Sequence, residues 1–218
     1  MNGVRSSNTP AGVRHCIHKL ALKAKQKVPG STNDRKLWRY YCHRFAQDVQ
    51  AELRRATQDQ VNGRAAQELE FALGATGASR GIMPDFSNLS ALRGYSLQHF
   101  GRVRMLGDLL TQTQPDWLAR GVNALFPCGG DRNKHEQPNQ QASFRDINLV
   151  SLGGGPGYDY VAAVALSEYR SGPKIKARVL EYEAQWEKCV SSMETATRSI
   201  LKSDRHCLNF GRCDITLR

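Results

Sequence analysis

Apolar residues recur at helical spacing through the first part of the chain and give way to short apolar runs in the last part. Leu37, Tyr41, Phe45, Val49 and Leu53 fall every four residues, which places them on one face of a helix with Asp34 positioned to cap it. Gly63 interrupts that pattern, and a short helix over 65–73 leads into a stretch rich in Gly, Ala and Ser over 74–81. A second long helix is expected from Ser87 or Asn88, with Leu89, Leu92, Phe100, Val103, Leu106 and Leu110 as its buried stripe. A short helix over 115–126 follows, opened by Pro115 and closed by Pro127. Trp38, Tyr40, Tyr95 and Trp117 lie on or beside these stripes and are expected to pack in a core, since base stacking would need an exposed platform.

The pattern changes after residues 128–145, a polar linker. Ile147–Leu152 is a short apolar run of the kind a buried parallel strand presents. Residues 158–169 are Ala-rich and helix-like, and 175–182 read as a second strand. Trp186, Cys189, Val190, Met193, Thr197, Ile200 and Leu201 mark an amphipathic helix, and 207–210 open a third strand. The expected fold class is therefore α/β, a helical region over 34–127 followed by a β-α-β-α-β unit over 146–218, half of a doubly wound sheet.

Composition narrows the function classes. The 218 residues are 40% hydrophobic and 23% charged, enough for a packed core with a solvated surface, and no run approaches the length of a membrane span. The net charge of +11 is unevenly placed, because residues 1–60 hold 12 Lys/Arg against 4 Asp/Glu. Residues 1–33 contain no acidic residue and read as a basic, disordered leader that suits nucleic acid, anionic lipid or an import receptor. An intracellular location follows, in cytoplasm or nucleus, with organelle import an equal reading of the same residues. The six cysteines at 16, 42, 128, 189, 207 and 213 form no Cys-x-x-Cys pair, so neither a disulfide scaffold nor a metal site is expected.

The candidate chemistry lies where the first strand meets Gly153-Gly154-Gly155-Pro156-Gly157. Glycines let the chain turn tightly and bring main-chain N–H groups against a ligand, while the following helix offers its positive N-terminal end. The second strand closes on Val179-Leu180-Glu181-Tyr182-Glu183, and a carboxylate there can accept hydrogen bonds from both hydroxyls of a ribose. Glu181 is the first choice for that role and Glu183 the alternative. A dinucleotide fingerprint would need a small residue at 158, where Tyr158 stands, and a phosphate loop would need Lys followed by Ser or Thr after the glycines.

The strand-glycine-turn sequence and the Leu-Glu-Tyr-Glu-x-x-Trp segment resemble the first two motifs of the class I S-adenosylmethionine-dependent methyltransferases, a Rossmann-like family. The resemblance covers 146–218 and implies a transferase with S-adenosylmethionine as cofactor and a methyl acceptor as second substrate. It implies that Gly153, Gly154, Gly155 and Gly157 flank the methionine part of the cofactor and that Glu181 holds the ribose. Asp214 would align with the acid that meets the adenine amino group. The family often carries an acid two residues before the first glycine, where this chain has Ser151. Asp159 is then expected either to supply negative charge or to cap the next helix. The full family sheet has more strands than this segment can hold. The resemblance thus implies a truncated enzyme, with no catalytic residue assigned, or a half domain whose open sheet a protein partner completes or covers.

Overall fold

The computed structural model describes residues 32–57, 60–111, 116–125 and 146–213. Residues 1–31 of the leader, the linker and Asp214 lie outside the described residues, while Thr32 and Asn33, expected to belong to the leader, open the first helix.

Helix α1 (Thr32–Thr57) begins two residues before Asp34 and runs unbroken for 26 residues. Its stripe of Trp38, Tyr41, Phe45, Val49 and Leu53 is buried, whereas Tyr40 faces outward. Helix α2 (Gly63–Leu73) starts at Asn62, whose side-chain oxygen accepts the Ala65 N–H at 3.0 Å. The small-residue stretch after it, for which the pattern assigns no element, coils into a five-residue helix, α3 (Ala75–Ser79).

The expected second long helix is two helices, α4 (Leu89–Gln98) and α5 (Gly101–Leu110), and α6 (Asp116–Leu125) follows. Asn88 caps α4 by accepting the Ala91 N–H at 3.1 Å. The break falls at His99–Phe100, where Phe100 sits as the first flanking residue of α5 and keeps its ring buried. The apolar stripe continues across the break, which is why periodicity alone reads the two as one.

Three strands follow: β1 (Ile147–Leu152), β2 (Ile175–Glu181) and β3 (Cys207–Arg212). They are linked by α7 (Tyr158–Arg170) and α8 (Trp186–Leu201). Among the described residues the sheet is entirely parallel with order β1-β2-β3, so β1 is an edge there, as the half-sheet reading expects. Two crossovers of the usual right hand, taken in the same direction, put α7 and α8 on one face of the sheet. On that face Ile175, Ala177 and Val179 are fully buried. Burying each large apolar side chain there stabilises the fold by about 1.5–3 kcal/mol.

The opposite face carries no described helix. Sequence pattern indicates a fully buried first strand, but β1 alternates half-buried and exposed positions, with Val150 58% and Leu152 68% exposed. The reason is physical: burying both faces of a parallel strand takes layers on both sides, and the described residues supply one.

Helices α1, α4 and α5 form a further layer over α7 and α8. One apolar cluster runs from Trp38, Phe45 and Val49 through Val161 and Leu166 to Ile175, Val179, Met193 and Leu208. At the N-terminal edge of the sheet, buried His206 ties the layers together. Its Nδ1 accepts the Ile175 N–H at 3.0 Å and its Nε2 lies 2.8 Å from Glu168 Oε1. Arg205 bonds to the same carboxylate at 3.0 Å. No described helix is long and apolar enough to cross a membrane.

Candidate functional site

The glycine turn forms at the C-terminal end of β1, where the chain must reverse from strand into α7. Gly153, Gly155 and Gly157 take φ values of +62°, +57° and +90°, in the left-handed region that side chains disfavour. Gly157 is the flanking residue of α7, and a Cβ there would also stand 2.9 Å from Leu208 Cδ2. Gly154 is fixed by close approach: a Cβ would overlap the Ser151 hydroxyl. The turn is tied to its neighbours by Gly153 N–H donating to Leu180 O at 2.9 Å and Gly157 N–H to Gly154 O at 3.2 Å.

Glu181 reaches into this turn. Its Oε1 accepts the Gly155 N–H at 2.7 Å, across 26 residues of sequence. Its backbone oxygen accepts the Cys213 N–H at 2.9 Å, which brings the end of β3 to the same edge. The structure thus distinguishes the two acids. Glu183 turns toward its own loop, with Gln185 N–H 3.5 Å from its Oε1 and Trp186 N–H bonded to its backbone oxygen at 3.3 Å. The Gly155 bond occupies one oxygen of Glu181, so a diol would engage Oε2 first and share Oε1 with the turn.

Ser151 lies beneath the turn, against Gly154. Asp159 stands in the first turn of α7 with its Oδ1 accepting the Tyr160 N–H at 3.0 Å; it is not the cap, which is Gly157. Asp214, the remaining residue of the expected set, lies outside the described residues. The structure therefore brings Ser151, the glycines, Asp159 and Glu181 to one edge.

Three aromatic residues complete the surroundings. Trp186 is buried, and its indole runs beside Gly155, 3.8 Å from where a Cβ would stand. Its other side meets Tyr95 edge-on, with ring centroids 6.1 Å apart. Tyr158 points away from the turn into the helical layer, donating to Ser96 O at 3.0 Å and Tyr95 O at 3.3 Å. Tyr182, directly after Glu181, is 61% exposed. Sequence reasoning assigned it no role; the available signal was an aromatic next to the strand-end acid.

No family model, curated protein or solved structure matches this chain.

Two other clusters with chemical potential are structural. Both ring nitrogens of His206 are engaged, so it has no free lone pair to act as a base. Burial pulls Glu168 upward, but the hydrogen bond from His206 and the Arg205 guanidinium outweigh it, holding its carboxyl below the usual range. Burial pushes the Cys42 thiol up to about 12 and the Cys189 thiol up to about 11, the latter against the Ser96 hydrogen bond and Arg93. Neither thiol is poised as a nucleophile. Among the described residues no group of three His, Cys, Asp or Glu converges as a metal site.

Proposed function

We propose that the turn at 153–157 and Glu181 bind S-adenosylmethionine, and that the chain is an S-adenosylmethionine-dependent methyltransferase or part of one. The observation that carries this reading is the 2.7 Å bond from Gly155 N–H to Glu181 Oε1, which joins the strand-end acid to the glycine backbone at one edge of the sheet.

Each part of the site has a role toward a nucleoside. Glu181 Oε2 accepts from a ribose hydroxyl, and the turn's missing side chains let a ligand lie against the backbone. The N-terminal end of α7 attracts a carboxylate, such as that of a methionine moiety. Tyr182, directly after Glu181, offers an exposed aromatic ring on which a base can stack. Bound there, the cofactor would supply an electrophilic methyl group, and the chain's contribution is to hold and orient it.

Titration calorimetry of the full chain with S-adenosylhomocysteine tests the reading. Binding with a dissociation constant below about 1 mM supports it, and no measurable heat from a folded sample at that concentration overturns it.

A further inference from the structure

We propose that the uncovered face of the sheet is a docking surface for an acidic, amphipathic helix of a partner protein. This goes beyond the cofactor reading and does not depend on it. Parallel sheets are stable with both faces covered, and no described helix covers the second face here. Its apolar content is continuous: Val150 and Leu152 project from β1, and Leu180 stands in register with Leu152. Gly211 lies beside them on β3. A Cβ at that position would meet Leu180 Cδ2 at 2.7 Å and Arg178 Cδ at 3.5 Å, so both side chains lie flat across β3.

Charge selects the partner. Lys176 and Arg178 flank the apolar strip on the same face, and none of the strand residues sharing that face is acidic. Lys176 shares its charge with Asp146 at 2.6 Å, whereas Arg178 forms no ion pair with a described residue. Three strands span about 10 Å, the width of one helix. A helix with an apolar stripe bordered by carboxylates would cover Val150, Leu152 and Leu180 and neutralise Arg178. A second copy fits poorly, because it would set two faces that carry Lys176 and Arg178 and no acidic strand residue against each other. Nucleic acid also fits poorly, because the strand residues of this face offer phosphates only Lys176 and Arg178, and Lys176 is already paired with Asp146.

The test uses the full chain and a fluorescent peptide of about 18 residues with Leu at i, i+3, i+4 and i+7 and Glu on the flanks. A twin peptide carries Lys in place of Glu. The acidic peptide should bind, the basic twin should bind at least about tenfold more weakly, and Leu152→Asp and Arg178→Glu should each weaken the acidic peptide about tenfold. Arg178→Glu should also improve binding of the basic twin, a gain that a misfolded variant would not show. Equal binding of the two peptides, or acidic-peptide binding untouched by both variants, overturns the proposal. So does a dimer in sedimentation that Leu152→Asp dissolves, or a single-stranded oligonucleotide that displaces the peptide and is lost with Arg178→Glu. Binding of S-adenosylhomocysteine is scored separately, so failure of one reading leaves the other standing.

Discussion

Tyr158 Oη donates to the Ser96 carbonyl oxygen at 3.0 Å, fastening the first residue of α7 to helix α4. The residue that spoils a dinucleotide fingerprint is thus a peg that orients the glycine turn against the helical layer. Its ring is packed edge-on by Phe100 at 5.9 Å.

Removing only the hydroxyl isolates the peg. Tyr158→Phe should destabilise the fold by about 1 kcal/mol, because the ring stays packed while buried carbonyl groups lose a donor. Urea denaturation followed by circular dichroism reads this as a lower midpoint with an unchanged slope.

The two strand-end acids should separate in binding. Glu181→Ala should weaken S-adenosylhomocysteine at least about tenfold, since it removes an acceptor and frees the Gly155 amide. Glu183→Ala should change it less than about twofold, as that side chain faces its own loop. Calorimetry on both variants decides; equal losses would place the ligand elsewhere.

Within the turn, Gly157→Ala should cost about 2–3 kcal/mol, combining a disfavoured φ with a clash against Leu208. Gly153→Ala, strained but with open space around it, should cost about 1 kcal/mol. Thermal melting of the two variants should preserve that order.

Acid should unfold the protein partly through Glu168. Its carboxyl is held below the usual range when folded, so its contribution is complete above the unfolded value of about 4.3 and is lost as pH falls through the folded one. Glu168→Ala should cost about 1–3 kcal/mol near pH 7, with the deficit shrinking toward pH ~2.5. A deficit constant across urea melts over that range would contradict the assignment.

Thiol labelling should follow burial. Cys42 and Cys189, 3% and 2% exposed and pushed up to about 12 and 11, should resist iodoacetamide at pH ~8 in the folded chain. Cys207 and Cys213, only half-buried, should label before those two, and peptide mapping after timed quenching checks the order.

The alternation of strand and helix after residue 146 was legible because it is local: the apolar period changes within a few residues at each connection. The spacing from the turn to Glu181 was legible for the same reason. Its bond to Gly155 was not, since a carboxylate at a strand end can face solvent or backbone with the same sequence around it. The break at His99–Phe100 was hidden because Phe100 sustains the stripe across it. The half-exposed state of β1 was legible only from the shortage of strands, because Leu149, Val150 and Leu152 look the same whether one layer covers them or two.

The shared core of Trp38, Val49, Val164 and Val179 has a consequence for anyone dividing this chain. The polar linker offers an obvious place to cut, yet a cut there parts the helices from the sheet through the middle of their common interior. Either piece expressed alone would present a raw apolar wall to water, and the natural unit of expression is the two together.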